Sequence, residues 1–313
     1  MKFIIIKFAK FLDFLISPLV LFSSVILKIV RKIGVQRLHI SRFIFKKIGV
    51  FPINNHYHEP LFMSEQLSAP IGKSRSLSGI NFNIKNQISM LNNFHFTNEF
   101  KNFLNKDFYF NNGSFEAGDA EYLYNFIRFI KPKKIIEVGC GFSTLIIQNA
   151  ITANQKENYK NSTEHVCVEP YENEYLKKFD LKFKKKKIEN IQKKYFTKLK
   201  KNDLLFIDSS HVIRPNGDVL FEVLELLPIL KSGVYVHFHD IFSPYDYPKK
   251  WLLDNVWFWN EQYILEAFLS NNEQWEITAS LFNLKKNYYN KLKKCCNYLT
   301  KNHSPGSIYI KKK

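Results

Sequence analysis

One turn in the middle of the chain constrains the fold more than any other feature. Lys134–Val138 is a short apolar run with one acid, two glycines follow at Gly139 and Gly141, and residues 143–153 have the pattern of a helix. Paired glycines let a backbone turn tightly, take up positive φ and approach a ligand closely. A buried strand, a glycine turn and a helix in succession predict the opening unit of an α/β domain.

Apolar strand patterns and helical patterns continue to alternate after this turn. We predict further strands at residues 165–169, 203–208, 234–239, 275–281 and 307–310. We predict helices within residues 188–199, 218–227 and 260–269, with Asp218 as a helix cap and Pro228 as a stop. Strands that alternate with helices are typical of a doubly wound, mostly parallel sheet.

The first 50 residues differ from the rest and predict an N-terminal helical extension. Their uncharged stretch, residues 14–27, contains Pro18 and is shorter than the roughly 20 residues of a spanning helix. A cationic flank follows: Lys28, Arg31, Lys32, Arg37, Arg42, Lys46 and Lys47. We expect either peripheral contact with an anionic membrane surface or packing on the catalytic domain. We predict an irregular lid or substrate-recognition region at residues 51–116. We predict that residues 117–313 form the cofactor-binding domain.

The net charge of +18 has two interpretations. It is compatible with a polyanionic partner, but no nucleic-acid-binding motif accompanies it, and lysine is abundant throughout the chain. Compositional drift is therefore the better explanation, and nucleic acid is not an expected partner. The four cysteines, Cys140, Cys167, Cys295 and Cys296, lack the spacing of a zinc site and indicate a reducing compartment.

Polar side chains stand where the predicted strands end. They are Glu137, Glu169, Asp208, His239 and Asp240. Ligands of doubly wound sheets bind at the carboxyl ends of the strands, so these residues predict a site there. Glu137 can receive a cationic amino group, Glu169 can accept both hydroxyls of a ribose, and Ser143 or Thr144 can cap the helix. The third glycine of the dinucleotide fingerprint is absent, which disfavours NAD.

Four segments together resemble class I S-adenosylmethionine-dependent methyltransferases. They are Ile-Glu-Val-Gly-Cys-Gly-Phe-Ser-Thr at 136–144, Val-Glu-Pro at 168–170, Phe-Ile-Asp-Ser-Ser-His at 206–211 and Val-His-Phe-His-Asp-Ile-Phe at 236–242. The resemblance covers residues 117–277 and implies a Rossmann-like sheet of seven strands. It implies S-adenosylmethionine as cofactor, with an adenine pocket near residues 188–191. The implied cofactor-binding residues are Glu137, Gly139, Gly141, Ser143, Glu169 and Asp208.

The chemistry is expected at His211, His239 and Asp240. The pattern resembles metal-dependent O-methyltransferases acting on catechols and on sugars, which would make Asp208 and Asp240 ligands of a divalent ion such as Mg²⁺ and His211 or His239 the base. The sugar enzymes carry a carboxylate where this chain has His239, which puts the metal in doubt. His237 shares a face with His239 but lies deeper, so we expect it in the core.

An aromatic run after the predicted strand at residues 234–239 has two interpretations. It comprises residues 242–248 together with Trp251, Trp257, Trp259 and Tyr263. It can form a substrate-binding loop that stacks on sugar faces, or a hydrophobic cover for the sheet edge. His56 and His58 are better explained as ordinary loop residues than as groups that close over the site.

The sequence therefore predicts a cytoplasmic O-methyltransferase for a small molecule or saccharide, peripheral at the inner face of the membrane. One alternative is an N-methyltransferase of nucleic acid, but that class usually carries Asn/Asp-Pro-Pro-aromatic where Asp208-Ser-Ser-His211 stands here. The other alternative is a non-catalytic, membrane-docked cofactor-binding module.

Overall fold

A computed structural model describes residues 2–55, 58–171 and 181–313, with side chains from residue 8 onward. His56 lies outside the described residues. The chain divides into two compact units, Met1–Pro70 and Ile71–Lys313. The boundaries that we predict at residues 50 and 116 stay predictions.

The first unit contains the N-terminal helical extension that the sequence predicts. Helix α1 (Lys2–Ile33) is 32 residues long and continues through Pro18. Helix α2 (His39–Ile48) ends at Gly49, which adopts a left-handed φ of 81°. Residues Phe8–Ile33 of α1 are long and apolar enough to cross a membrane by length and composition.

The second unit is built on a seven-stranded sheet with the order β3-β2-β1-β4-β5-β7-β6. Strands β1 to β5 run parallel, and β7 is antiparallel to both β5 and β6. This confirms the doubly wound, Rossmann-like prediction. The strands are β1 (Lys134–Val138), β2 (Glu164–Val168), β3 (Lys182–Lys184), β4 (Leu204–Ile207), β5 (Tyr235–Phe238), β6 (Trp275–Ser280) and β7 (Ile308–Lys312).

Helices cover the sheet on both faces. They are α3 (Ile84–Leu91), α4 (Asp119–Ile130), α5 (Phe142–Glu157), α6 (Asp218–Leu220), α7 (Glu261–Leu269), α8 (Leu281–Asn287) and α9 (Tyr289–Lys293). Short 3₁₀ segments occur at Ser64–Gln66, Thr97–Asn102, Ile188–Asn190, Lys193–Lys198 and Leu227–Ile229, and π-helical turns at Phe221–Leu226 and Lys250–Asp254.

Period-two alternation along the strands divides the core into two layers. Ile135 and Phe206 join the cluster formed with α4 and α5, whereas Ile136 and Ile207 join the cluster on the opposite face. All four side chains are buried. A strand buried on both faces must be apolar almost throughout, and this explains the continuous apolar runs in the sequence.

Three local predictions need correction. The sequence pattern did not indicate β3, because this three-residue strand of two lysines and a phenylalanine lies at the exposed sheet edge. Residues 188–199 form two 3₁₀ segments rather than one helix. The helical segment that begins at Asp218 ends at Ile229 rather than at 227, since Pro228 enters a 3₁₀ turn whose first positions need no N–H donor.

The strand order reverses between β1 and β4, which are hydrogen-bonded neighbours in the sheet centre. From β1 the chain proceeds outward to β2 and β3, and then returns to the other side at β4. Such a switch point opens a crevice outside the carboxyl ends of the two strands. The fold therefore brings the turn after β1 next to the segment after β4.

Candidate cofactor and acceptor site

Gly139 is the tightest point of the crevice. Its φ is 78°, and a Cβ added there would lie 1.8 Å from the carbonyl oxygen of Asp208. Both facts require glycine, because no other side chain fits and few residues accept that backbone conformation. Gly141 differs from the expectation of positive φ, since its φ of −162° is extended backbone. The sharp turn is therefore made by Gly139 alone.

Glu137 lies beneath this turn and is fully buried. Its carboxylate accepts hydrogen bonds from the hydroxyls of Ser143 (2.7 Å) and Thr144 (2.9 Å), and His165 Nε2 lies 2.9 Å away. Glu137 is not among the described residues that line the cavities beside the turn. In this structure its carboxylate holds the glycine turn, the start of α5 and β2 together.

The two hydroxyls on Glu137 differ at the start of α5. Gly141 occupies the N-cap position, and Thr144 Oγ1 accepts a hydrogen bond from the Gly141 N–H at 3.1 Å, so Thr144 supports the helix start as we expected. The Ser143 hydroxyl instead donates to Glu137. Asp218 is not the cap residue that we predicted: it follows the cap residue, Gly217, and its carboxylate accepts hydrogen bonds from the N–H and hydroxyl of Ser210.

The interaction with Glu137 controls the charge of His165. Burial alone would lower the pKa of His165, but contacts with Cys167 and Glu137 outweigh it and raise the pKa to about 9. The imidazole is then cationic at neutral pH and forms a buried ion pair with Glu137. The side chains of Cys140 and Cys167 are buried at the edge of this cluster.

Two hollows lie on either side of the glycine turn. One, of 340 Å³, is bordered by Ile188, Glu189 and Ser210. The other, of 320 Å³, is bordered by Phe115, Gly141 and Ser143. Gly139, Glu169 and Asp208 border both hollows. Their size falls in the range of about 300–1,000 Å³ that small-molecule sites occupy.

Larger hollows lie elsewhere on the second unit. One of 550 Å³ is bordered by Glu99 and Arg128, and one of 690 Å³ by Tyr195 and several lysines. They lie away from the carboxyl ends of β1 and β4 where the polar groups converge. The chemistry of the lining, rather than the volume, therefore identifies the site.

Glu169 follows β2 and is half-buried at the rim of both hollows. One oxygen accepts a hydrogen bond from the N–H of Tyr171 at 2.8 Å, and the other from the N–H of Cys140 at 3.3 Å. A carboxylate with two oxygens has about four acceptor positions, so capacity for a ligand remains. The N–H contacts fix its orientation toward the hollows.

Four further predicted residues form one cluster after β4 and β5. His211 Nε2 lies 3.3 Å from Asp208 Oδ1 and 3.6 Å from Asp240 Oδ2. His239 Nδ1 lies 3.6 Å from an oxygen of each of these carboxylates. The Asp208 side chain keeps 29% of its surface exposed, whereas both imidazoles are buried. The cluster is thus accessible through the carboxylates.

The carboxylates hold both histidines in the cationic form. Burial would lower the pKa of His239, but attraction by Asp240 and Asp208 raises it to about 10. Burial opposes the charge of His211 too, yet hydrogen bonds with Asp208 and Glu261 raise its pKa well above the ordinary value. The two cations in turn hold the pKa of Asp208 far below its usual range despite burial.

Two members of the cluster adopt left-handed backbone conformations. The φ of His211 is 60° and that of Asp240 is 57°. Residues other than glycine rarely occupy this region, and it costs on the order of 1–3 kcal/mol unless the surroundings enforce it. Such conformations concentrate at functional sites, so this cluster has the geometry expected of one.

The sequence reasoning missed the residue that orients His211. Glu261, at the start of α7, is buried, and its Oε2 lies 2.8 Å from His211 Nδ1. The N–H groups of Asn260 and Glu261 donate to the carbonyl of His211, and Trp259 packs against the imidazole at a ring distance of 4.3 Å. Only its place in the first turn of the helix predicted at residues 260–269 could have singled out Glu261.

The cluster also fits a divalent cation. Asp208, His211 and Asp240 each offer one ligand atom, and these atoms lie within 4.8 Å of one another. Two carboxylates and one imidazole form a donor set suitable for several divalent metals. The Glu261 carboxylate lies beside His211 Nδ1, the nitrogen that faces away from Asp208 and Asp240. Histidines that bind a metal usually donate their other ring N–H to such a carboxylate.

The aromatic run divides between the two interpretations. Phe242, Tyr245 and Tyr247 are buried in a small apolar cluster, as a hydrophobic cover requires. Trp257 is instead exposed and stacks on Trp259 at 4.6 Å, with their planes 22° apart. Because Trp259 contacts His211, the pair leads from the solvent to the cluster of histidines and carboxylates. His237 is fully buried in the core.

Comparisons with known proteins agree with this placement. Residues 136–241 match a family model described as a methyltransferase domain. A protein of Archaeoglobus fulgidus of uncharacterised function is 38% identical over 71 residues, which cover 23% of this chain and 30% of that relative.

Two solved structures show weaker similarity. An O-methyltransferase from Bacillus cereus in complex with SAH has a TM-score of 0.38 at 12% identity, covering 62% of this chain and 80% of that one. A Plasmodium falciparum structure described as a protein-L-isoaspartate O-methyltransferase in complex with S-adenosyl-L-homocysteine has a TM-score of 0.25 at 15% identity, with coverages of 37% and 56%. The family match contains the glycine turn, Glu169, Asp208 and Asp240. Residues 136–241 of this chain are therefore similar to a methyltransferase domain.

Proposed function

We propose that this protein transfers the methyl group of S-adenosylmethionine to a hydroxyl group of a small molecule or saccharide. One observation carries the proposal: Asp208 borders the two hollows at the glycine turn and also belongs to the histidine–carboxylate cluster. A cofactor in the hollows and an acceptor at the cluster would thus meet at one carboxylate. Methyl transfer needs this proximity and a group that takes the acceptor proton.

The cofactor side is proposed to use Glu169 and the backbone of the glycine turn. Glu169 would accept both ribose hydroxyls, and the turn from Gly139 to Gly141 would contact the methionine part. Ile188 would border the adenine, in agreement with its place in the hollow that Glu169 also lines. Glu137 would not contact the cofactor, because its carboxylate already interacts with other residues of the protein. It would instead hold the glycine turn in place from below.

The acceptor side is proposed to use His211 or His239 as the proton acceptor. Both imidazoles are held cationic by the carboxylates, so one must lose its proton before it can take another. A further positive charge beside Asp208 would lower the pKa of the neighbouring imidazoles. The sulfonium of the cofactor brings such a charge. Cofactor binding would therefore favour loss of the imidazole proton and produce the neutral base.

A divalent ion is a compatible addition to this cluster. Asp208, His211 and Asp240 would hold it, with Glu261 supporting His211 from behind. When bound, such an ion acidifies a hydroxyl that it ligates. His239 would then be the free imidazole nearest to the acceptor.

The stacked tryptophan pair favours a saccharide or another acceptor with a flat apolar face. Trp257 and Trp259 are stacked on each other, and Trp259 also contacts His211. Indole rings stack well on the apolar faces of sugars. An acceptor that lies along this pair would direct one hydroxyl toward the cluster.

The alternatives account for fewer observations. A nucleic-acid N-methyltransferase does not explain why Asp208-Ser-Ser-His211 forms a carboxylate–imidazole cluster. A non-catalytic cofactor module does not explain two strained backbone conformations beside the cofactor hollow. Both features have a purpose in hydroxyl methylation.

Calorimetric titration with S-adenosylhomocysteine tests the cofactor side. We expect wild-type binding with a Kd in the micromolar range, and a loss of about 10- to 100-fold in Glu169→Ala, because a charged hydrogen-bonding partner is removed. Glu273→Ala, an exposed glutamate outside the hollows, is the matched control. Absence of wild-type binding would refute the proposal.

Methyl transfer from labelled cofactor to a panel of hydroxylated acceptors tests the chemistry. We expect Trp257→Ala to raise KM several-fold with little change in kcat, since it removes binding area and not a reacting group. Tyr288→Ala, which removes another exposed aromatic, serves as the control. Activity that disappears with a chelator and returns with Mg²⁺ would establish the ion, and unchanged activity would remove it from the proposal.

A further inference from the structure

Helix α1 is apolar on every side, and most of its described side chains are exposed. Phe14, Leu19 and Phe22 remain 76%, 67% and 66% exposed, and consecutive residues 19–22 are all large, apolar and exposed. Nothing in the apolar window of α1 is buried inside the described structure. A helix that is hydrophobic all round belongs in a protein core or across a membrane, whereas an interfacial helix has a polar face.

The length and charges of α1 suit a bilayer better than the uncharged stretch alone suggests. Residues 11–30 form 20 continuous helical residues, about 30 Å at 1.5 Å per residue, which matches the hydrocarbon core. The charged residues in this window are Asp13 and Lys28, each third from an end. Near the ends, a lysine stem lets the ammonium reach the headgroups.

A side-chain hydrogen bond replaces the backbone hydrogen bond that α1 loses at Pro18. Proline has no N–H, so the carbonyl of Phe14, four residues earlier, loses its helical partner. The hydroxyl of Ser17 donates to that carbonyl at 2.9 Å. Water would satisfy the carbonyl in solution, but in hydrocarbon a side-chain donor is needed, and serine beside proline is one way in which spanning helices tolerate this residue.

Helix α2 has the complementary character of an interfacial helix. Ile40, Phe43, Ile44 and Ile48 are exposed at helical spacing, while Arg42, Lys46 and Lys47 supply cations, and no residue of α2 is buried. An apolar stripe with a basic remainder lies flat at the surface of an anionic leaflet. The two helices of the first unit therefore have different relations to a membrane.

The charges flanking α1 give the orientation. Residues 28–48 carry seven lysines and arginines and no acid, whereas residues 1–10 carry three lysines. Positive residues near the ends of a span accumulate on the cytoplasmic side. The end of α1 that leads to the methyltransferase domain is then the cytoplasmic end.

We propose that α1 crosses the membrane with its N-terminus outside, that α2 lies on the anionic cytoplasmic leaflet, and that the methyltransferase domain is anchored on the cytoplasmic side. This replaces peripheral contact, as expected from the sequence, by an integral anchor. The proposal does not depend on methyl transfer, and its test needs no activity.

Extraction and cysteine labelling of the full chain in cells test the topology. The four native cysteines are buried, so single cysteines introduced as Lys2→Cys or Arg37→Cys report on their own positions. We expect the protein to remain in membranes after 1 M salt and alkaline carbonate and to leave them with detergent. A membrane-impermeant maleimide should label Lys2→Cys in intact spheroplasts, and Arg37→Cys only after permeabilisation.

Three results would overturn the proposal. Release by salt or carbonate would mean peripheral attachment. Labelling of Arg37→Cys in intact cells would mean the opposite orientation or export. A mature chain whose mass lacks α1 would identify the helix as a cleaved signal sequence.

A double-mutant cycle tests whether the Phe14 carbonyl lies in hydrocarbon. We expect Ser17→Ala to lower the ratio of carbonate-resistant to extractable protein about tenfold, the effect of one unsatisfied buried carbonyl. Ser23→Ala, in the same helix, should leave the ratio unchanged. In a Pro18→Ala background the N–H of residue 18 returns, so Ser17→Ala should lose its effect. Equal ratios for Ser17→Ala and Ser23→Ala would place that carbonyl in water and contradict the spanning position.

Discussion

Two clusters of carboxylate and histidine among the described residues differ in how far their carboxylates are exposed. Around Glu137, every described contact is internal: the carboxylate is fully buried and accepts from Ser143 and Thr144 beside His165. Around Asp208, the carboxylate stays partly exposed at the rim of two hollows and the ion-pair distances are longer, at 3.3–3.6 Å.

Residue type alone therefore does not define a reactive site. A saturated carboxylate stabilises the fold, whereas an unsaturated one beside a hollow can bind something else. The backbone agrees, since His211 and Asp240 carry left-handed φ values and the residues of the Glu137 cluster do not. Exposure and strain together separate the open cluster from the closed one.

The largest expected effect is in the open cluster. Asp208→Asn removes the charge that faces both histidines and should lower kcat by about 10²- to 10⁴-fold. Its melting temperature should fall as well, because the carboxylate pairs with two buried imidazoles, so turnover is compared at a temperature at which both proteins are folded. Asp254→Asn, at an exposed position, is the control for radiolabel transfer and for melting. An Asp208→Asn enzyme with wild-type turnover would end the distinction between the clusters.

The closed cluster should instead make stability depend on pH. The pKa of His165 is raised to about 9 from 6.5, so its stabilising charge is fully present below pH 6.5 and is lost as the pH rises toward 9. The free energy of unfolding of wild type should exceed that of His165→Gln by about 3 kcal/mol more at pH 6 than at pH 9.5. Denaturant titrations at both pH values measure this, and a constant difference would show that folding does not raise the pKa of His165.

Glu261→Gln probes the support behind the open cluster. The amide keeps the size of the side chain but not its charge, so His211 should be less firmly oriented and less basic. We expect kcat to fall by about 10- to 100-fold, the usual cost of losing such a support, with S-adenosylhomocysteine affinity unchanged. The control is Glu266→Gln. Glu266 is another buried carboxylate of α7, and it accepts hydrogen bonds from Arg75. Equal losses in the two variants would indicate a general structural effect.

The smallest expected effect distinguishes two roles of Ser143. The resemblance implies a cofactor contact, whereas its hydroxyl is bonded to Glu137. Ser143→Ala should lower the free energy of unfolding by about 1 kcal/mol, one hydrogen bond, and leave cofactor affinity unchanged. A tenfold weaker Kd at unchanged stability would assign the hydroxyl to the cofactor.

The fold was largely predictable because its signals are local. Strand β1 was predicted with its observed bounds. Glu169, Asp208 and His239 directly follow strands that were predicted from their apolar runs. The parallel arrangement then places these strand ends at one edge. Where the local signal was weak, as in the lysine-rich β3, the prediction failed.

The site was predictable only in part, because its geometry depends on distant contacts. The sequence gives no sign that Glu137 turns inward to hydroxyls six and seven residues later, or that Gly141 is extended while Gly139 is left-handed. Glu261 reaches His211 from 50 residues away. No periodicity encodes such a contact, since it arises only when α7 packs beside β5 and β4.

The contact between Gly139 and the carbonyl of Asp208 has a consequence for how this scaffold can be re-engineered. The glycine turn, which would lie beneath the cofactor, and the shared carboxylate form one rigid joint, so a change in one alters the position of the other. The segment from Trp257 to Trp259 instead approaches the cluster from the side of His211. New acceptor preferences are therefore best sought in that segment, where sequence can vary without dismantling the joint.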